Sequence, residues 1–77
     1  MAWIEREGKL VREVRTADFL SAFQIVERLV APAEAANHHP DIEFGWGYVR
    51  IALTTHDKGG ITQADHDLAA EMDRVLG

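Results

Sequence analysis

The sequence contains no cysteine, and this absence removes two common ways of stabilising a small domain. Without cysteine the chain forms neither a disulfide framework nor a thiolate zinc site. Below about 70–80 residues a single core supplies only about 3–5 kcal/mol, so such domains usually recruit a metal or a second chain. Since this chain has 77 residues and an ordinary 47% of hydrophobic residues, we expect it to form homo-oligomers.

Basic side chains are also few, and the net charge is −5. Nucleic-acid binding relies on clustered Lys and Arg, whereas the 8 basic residues here are scattered. No apolar run approaches the ~20 residues that cross a bilayer. The first residues carry charges where a signal peptide has its apolar core. We therefore expect a cytoplasmic protein that binds neither nucleic acid nor membrane.

The short length limits the architecture to one domain, which we assign to residues 1–77. A doubly wound Rossmann sheet and a TIM barrel, which needs about 250 residues, are both excluded. No second lobe is present to form a deep cleft. Any pocket is therefore shallow, or is shared with a neighbouring subunit.

Two segments of the sequence favour β-hairpins. Over residues 3–15, partly alternating apolar and charged residues flank a turn predicted at Glu7-Gly8-Lys9. Over residues 41–56, the turn is predicted at Gly45-Trp46-Gly47. The run from Tyr48 to His56 alternates between an apolar and a mixed face, which is typical of an antiparallel sheet covered on one side.

Two further segments favour helices. Apolar residues recur at three- and four-residue steps from residue 17 to about 36, with Thr16 as the predicted cap. Pro32 removes a backbone donor, so this helix is predicted either to end near residue 31 or to kink there and continue through the Ala-rich stretch to Ala36. The second helix covers residues 62–76, where Thr62 and Asp65 resemble a capping box.

The order of these elements is β-β-α-β-β-α. Hairpins that alternate with helices predict an α+β fold, in which an antiparallel sheet has helices packed on one face. The open edges of such a sheet invite pairing with a second chain.

Three histidines lie at predicted turns or strand ends: His38, His39 and His56. Pro40 keeps His39 extended, and neighbouring extended residues point to opposite sides, so the pair suits flanking a ligand better than chelating one ion. An unperturbed imidazole titrates near pH ~6.5 and exchanges protons at neutral pH. The sequence lacks the paired helical histidines of zinc hydrolases, so no metal is predicted.

The two tryptophans receive different interpretations. Trp46, which lies between two glycines, is expected to pack on the small core. Trp3 lies outside the strongest apolar pattern and is predicted to form the wall of a site for a planar ligand. An aromatic ring pairs well with a flat heterocycle.

The run Glu34-Ala35-Ala36-Asn37-His38-His39-Pro40 resembles the signature of the pterin-4a-carbinolamine dehydratases. In that signature an acidic residue, three spacers and His-His-Pro precede an aromatic residue, a histidine and an aspartate at fixed spacings. These three positions are held here by Trp46, His56 and Asp65. The early Trp3 and the Asp18-Phe19 entry to the first helix also resemble the family.

The resemblance implies a four-stranded antiparallel sheet with helices on one face, and homodimers that pair into homotetramers. It implies a dehydratase that converts 4a-hydroxytetrahydropterin (pterin-4a-carbinolamine) to quinonoid dihydropterin and water by histidine acid–base catalysis. This reaction recycles the tetrahydrobiopterin used by aromatic amino acid hydroxylases, which are the implied pathway partners. The chemistry needs no metal and no redox cofactor.

The same resemblance implies a role for each matching residue. His38 and His56 act as proton-transfer groups at the two faces of the hydroxyl-bearing carbon, and His39 mainly holds the substrate. Trp3 lines the pocket, whereas Glu34 and Asp65 orient the histidines and tune their charge. Glu34 also fits an exposed helix residue, and Asp65 also fits a simple helix cap.

Two other functions are compatible with the sequence. One is a non-catalytic interaction module that stabilises a partner protein, for which the apolar stripe from Leu68 to Leu76 offers a dimerisation face. The other is a metal-dependent hydrolase built on the three histidines. The sequence leaves open the pterin side chain, the choice between dimer and tetramer, and which of His38 and His56 is the acid.

Overall fold

The computed structural model describes residues 2–77, which form one four-stranded antiparallel sheet with two helices. The strands are β1 (Ile4–Arg6), β2 (Lys9–Arg15), β3 (Asp41–Gly45) and β4 (Tyr48–Leu53), arranged in the order β1-β2-β4-β3. The helices are α1 (Phe19–Ala36) and α2 (Gln63–Leu76), and a 3₁₀ turn at His56–Lys58 follows β4. The α+β fold and its β-β-α-β-β-α order are therefore confirmed.

Both hairpins close through two-residue turns. In the first, Glu7 and Gly8 have φ values of 53° and 78°, the positive pair that type I′ turns require. In the second, Gly45 pairs with Tyr48 across a turn in which Gly47 has φ 88°. The hairpins join through β2 and β4, which pair from Leu10–Leu53 to Arg15–Tyr48.

The hydrophobic core lies between one face of the sheet and both helices. Alternate residues of β4 enter it with no exposed surface, which confirms the predicted alternation: Val49, Ile51 and Leu53. The helices contribute Ala22, Leu29, Leu68 and Met72. Across residues 2–77, no helix combines the length and apolar character needed to span a bilayer.

The opposite face of the sheet carries charged side chains. Arg50 pairs in register with Glu13 and Glu43 and contacts both carboxylates, with Nη2 at 3.6 Å from Glu13 Oε2. The Arg50 guanidinium also lies 5.5 Å from the centre of the Tyr48 ring. The helices thus cover one face of the sheet, and none of residues 2–77 forms an element that covers this polar face.

The cap of α1 differs from the prediction. Asp18 is the N-cap, and its Oδ1 accepts the Ser21 N–H at 2.8 Å, whereas Thr16 donates to the Asp18 carbonyl at 3.2 Å. This backbone hydrogen bond from Ser21 lowers the pKa of Asp18 below its ordinary value. Asp18 displaces Thr16 because its carboxylate meets a free N–H of the first helical turn.

Pro32 does not end α1, which continues to Ala36. Of the outcomes predicted at Pro32, the end near residue 31 is wrong, whereas the predicted extent of the helix to about residue 36 is confirmed. The proline ring leaves the Arg28 carbonyl without its helical donor. Leu29 and Ala33 on either side of it are both buried, and their packing against the core offsets the lost bond.

The two tryptophans differ sharply in their exposure to solvent. Trp46 is 74% exposed because it lies in the β3–β4 turn, beyond the end of the covered sheet, so its predicted packing on the core is wrong. Trp3 is 8% exposed and belongs to the core. Its indole N–H donates to Asp73 Oδ1 at 2.7 Å, and Arg12 binds the same oxygen at 2.5 Å. These two hydrogen bonds to Asp73 connect the N-terminal hairpin region to the last turns of α2.

Candidate active site

The candidate site lies at one end of the sheet because of the antiparallel pairing of β3 and β4. Asp41 at the start of β3 is paired with Ala52 near the end of β4. The loop before β3, which carries His38 and His39, therefore meets the loop after β4, which carries His56. His56 follows His39 by 17 residues in the sequence, and the hairpin brings their two loops together.

The C-terminus of α1 sets the position of His38. Asn37 adopts the left-handed conformation with φ 50°, and its N–H donates to the Glu34 carbonyl at 3.1 Å. The His38 N–H then donates to the Ala33 carbonyl at 3.2 Å. This is the bonding by which a helix end satisfies its free carbonyls, and it turns the chain sharply into the His-His-Pro loop.

Asp65 is the buried centre of the site, with no exposed surface. Its Oδ1 lies 2.5 Å from His38 Nε2, and its Oδ2 accepts the Thr55 hydroxyl and the Thr62 N–H, each at 2.8 Å. The bond from Thr62 is the half of a capping box that the acidic residue supplies. Asp65 is thus a helix cap and the partner of His38 at the same time.

The surroundings of Asp65 keep its carboxylate ionised at neutral pH. Burial raises the pKa of Asp65, but hydrogen bonds from His38, Thr62 and Thr55 and attraction to His38 outweigh it, so the pKa lies below 3.8. An ionised carboxylate only accepts hydrogen bonds, so His38 donates through Nε2–H. The other ring nitrogen, Nδ1, is left without a partner among residues 2–77.

The three histidines line one open surface cavity of about 360 Å³, which we call the histidine cavity. Its lining consists of Asn37, His38, His39, Thr54, Thr55, His56 and Asp57. The cavity is open to solvent, in agreement with the shallow pocket expected from the chain length.

His39 has a carboxylate partner of its own. Its Nε2 lies 2.6 Å from Glu34 Oε2, and both side chains are exposed. Glu34 thus contacts His39 rather than His38, and it lies outside the lining of the histidine cavity. His39 and Glu34 also border an apolar groove of about 240 Å³, which includes Val30 and Ile42.

His56 does not lie on a strand, since β4 ends at Leu53; the prediction that the strand reaches His56 is wrong. The chain leaves the sheet because Thr55 bonds within its own loop: its carbonyl accepts the Lys58 N–H at 3.0 Å. Among the described residues, hydrogen bonds involve the rings of His38 and His39 but not that of His56.

Trp3 is not brought to the histidine cavity. It lies in the core and bonds Asp73, so within one chain it forms no wall of this cavity. Conversely, Thr55 was not predicted as a site residue, although its hydroxyl contacts Asp65. In the sequence, only its position directly before His56 indicates that Thr55 lies near the site.

The structure offers little to a metal ion. Within residues 2–77, no group of three or more His, Asp or Glu side chains is arranged to hold one. Residues 2–77 therefore provide no ligand set that would support a metal-dependent hydrolase.

Fold and site together define a small α+β protein in which histidines, one of them backed by a buried carboxylate, face an open cavity. The sequence profile of the pterin 4 alpha carbinolamine dehydratases matches residues 1–75. The chain belongs to this family.

Individual relatives agree with this membership. A Picosynechococcus protein is 47% identical over 95% of this chain and 79% of its own length, and a Chloroflexus aggregans protein is 49% identical over 96% and 79%. Both carry the name pterin-4-alpha-carbinolamine dehydratase provisionally.

Solved structures share the fold. A transcriptional coactivator/pterin dehydratase from Brucella melitensis superposes with a TM-score of 0.88 at 27% identity, covering 99% of this chain and 83% of that one. A pterin dehydratase-like protein identified as a RuBisCO assembly factor in the alpha-carboxysome gives 0.74 at 25% identity, covering 97% and 87%.

Proposed function

We propose that this protein is a dehydratase that converts 4a-hydroxytetrahydropterin to quinonoid dihydropterin and water. The observation that carries the proposal is the meeting of His38, His39 and His56 at one cavity, with His38 bonded to the buried Asp65 carboxylate. Membership of the pterin-4a-carbinolamine dehydratase family supports the same substrate class. The reaction would recycle the pterin used by aromatic amino acid hydroxylases. The cytoplasmic location stays a prediction.

The chemistry suits the side chains of the histidine cavity. The C4a–O bond breaks as one imidazolium protonates the departing hydroxyl, and a neutral imidazole takes the proton from N5, which leaves a C4a=N5 double bond. A positioned acid or base typically contributes about 10²–10⁴-fold to such a step. His38 offers its unpartnered Nδ1 and His56 its unbonded ring, so these two share the roles of acid and base. His39, backed by Glu34, holds the substrate at the rim.

The test is a dehydration assay. We would generate 4a-hydroxytetrahydropterin in situ and follow its decay by absorbance with and without the protein. The expected result is decay well above the spontaneous rate. A decay equal to the protein-free control would contradict the proposal and move the function to the second candidate below.

We propose in addition that the chain forms homo-oligomers through α1. The apolar stripe of α2 was the predicted oligomerisation face, but Leu68 and Met72 are buried in the core, so that prediction is wrong. Among residues 2–77, the large exposed apolar side chains of the helices lie on α1: Phe19, Leu20, Phe23 and Val30. Helical spacing brings Phe19, Phe23 and Val30 to one side. A second copy would cover this row and add the core that a domain of this size lacks.

Sedimentation velocity tests this assembly. Wild type is expected to sediment as a dimer or tetramer, and Val30→Glu is expected to shift it toward monomer because it places a charge in the apolar row. Gln24→Glu adds the same charge to another side of α1 and is expected to leave the assembly unchanged. A monomeric wild type would overturn the proposal.

The second candidate function is a non-catalytic module that stabilises a partner protein. The exposed apolar row of α1 favours it, and a structural relative is a RuBisCO assembly factor. A double variant in which His38 and His39 are both replaced by alanine distinguishes the two functions. It would lose dehydration under the first proposal and keep partner binding under the second.

A further inference from the structure

The side chain of Thr55 links the two histidine-bearing loops of the candidate site. Its hydroxyl oxygen lies 2.8 Å from Asp65 Oδ2 and 2.8 Å from the hydroxyl oxygen of Thr62. Through Asp65, this hydroxyl is one hydrogen bond away from His38, and along the chain Thr55 directly precedes His56. Thr55 is thus placed to influence both histidines.

The direction of each hydrogen bond in this chain follows from the ionised carboxylate. The ionised Asp65 carboxylate only accepts hydrogen bonds, so the Thr55 hydroxyl donates its single proton to Oδ2. In the bond between the two threonines, Thr55 must therefore accept and Thr62 must donate. The Thr62 hydroxyl therefore donates to Thr55, and the Thr55 hydroxyl donates to Asp65 Oδ2. His38 donates to the other carboxylate oxygen, Oδ1.

The backbone of Thr55 holds the second histidine. Its N–H donates to the Gly60 carbonyl at 3.0 Å, and its carbonyl accepts N–H groups from Lys58 at 3.0 Å and Gly60 at 3.3 Å. These bonds close the short loop on which His56 lies. The side chain and the backbone of one residue therefore fix the two halves of the site relative to each other.

We propose that Thr55 is a positioning residue whose hydroxyl fixes the Asp65 carboxylate so that His38 keeps its proton on Nε2 and presents Nδ1. Two donors anchor Oδ2, the Thr55 hydroxyl and the Thr62 N–H. Without the hydroxyl, one backbone donor holds Oδ2 and the carboxylate gains freedom to rotate away from His38. The catalytic consequence rests on the proposed function, whereas the state of the His38 ring does not.

Kinetics of three variants test the catalytic consequence. Thr55→Val keeps the side-chain shape without the hydroxyl and is expected to lower kcat about 10–100-fold, because misplaced groups lose much of their catalytic effect. Thr55→Ser keeps the hydroxyl and is expected to stay within about threefold of wild type. Thr16→Val removes a threonine hydroxyl bond to Asp18 outside the site and is expected to leave kcat unchanged.

The tautomer of His38, read by ¹⁵N NMR, tests the positioning itself. Wild type and Thr55→Ser are expected to show the proton on Nε2, and Thr55→Val a mixture of tautomers. If the valine variant does not fold, Thr55→Ala provides the same comparison without a branched side chain.

Three results would overturn the proposal: a wild-type proton on Nδ1, an unchanged tautomer and kcat in Thr55→Val, or an equal loss in Thr55→Ser. If wild type fails to dehydrate the pterin, the proposed function is wrong. The NMR comparison then still decides whether Thr55 positions His38.

Discussion

His56→Ala is expected to slow dehydration by about 10²–10⁴-fold while leaving the fold intact. His56 lies exposed in the 3₁₀ turn, and within residues 2–77 its ring makes no hydrogen bond. The substitution therefore removes a proton-transfer group and very little packing. Exposed substitutions of this kind change the free energy of unfolding by about 0.5 kcal/mol or less. Steady-state kcat and thermal unfolding by circular dichroism measure the two quantities.

His66→Ala is the matched control for this prediction. His66 is the fourth histidine, exposed on α2 and outside the histidine cavity, so its loss is expected to leave kcat and stability near wild type. An His56→Ala variant as active as His66→Ala would show that another group transfers the second proton.

His38→Ala is expected to give a similar loss of kcat with an added loss of stability. Its ring is the donor to Oδ1 of the buried Asp65, and the truncation leaves that oxygen without a partner among residues 2–77. A buried polar group left unsatisfied costs about 1–3 kcal/mol. His38→Ala should therefore lower the free energy of unfolding more than His56→Ala does, even if the two variants lose the same amount of kcat.

Local sequence patterns predicted most of the fold because each pattern reflects a local physical requirement. The alternation of Val49, Ile51 and Leu53 follows from one covered face, and these residues are all buried. Thr62 and Asp65 form the predicted start of α2 because free N–H groups there need an acceptor. The histidine loops were predicted at strand ends, and antiparallel pairing places those ends together.

Some features of the structure escape prediction because a contact between distant residues overrides a local pattern. The place of Trp3 depends on Asp73, 70 residues away, and no local pattern reports that bond. Pro32 would break an isolated helix, but α1 continues past it because the burial of Leu29 and Ala33 stabilises the helix on both sides of the proline. The hydroxyl of Thr55 reaches Asp65 only once the loop after β4 has folded against the start of α2.

Asp65→Asn is expected to lower the free energy of unfolding at pH 7 by about 2–4 kcal/mol, which approaches the whole stability of a domain of this size. The carboxylate accepts three donors in a fully buried position: the His38 ring, the Thr55 hydroxyl and the Thr62 N–H. An amide has one accepting oxygen and turns an NH₂ group toward the remaining donors, so at least one buried donor loses its partner. Urea unfolding of both proteins measures the difference.

The pH dependence of this difference identifies the carboxylate charge as its cause. The pKa of Asp65 is lowered in the folded protein, so its stabilisation is complete above the unfolded pKa and is lost as pH falls through the folded pKa. The difference in unfolding free energy between wild type and Asp65→Asn should therefore narrow as the pH falls below about 5 and the folded-state carboxylate becomes protonated. Asp67→Asn, an exposed change on the same helix, should cost about 0.5 kcal/mol or less. A gap that stays constant down to low pH would show that the shape of the site, and not the ionised Asp65, stabilises this end of the fold.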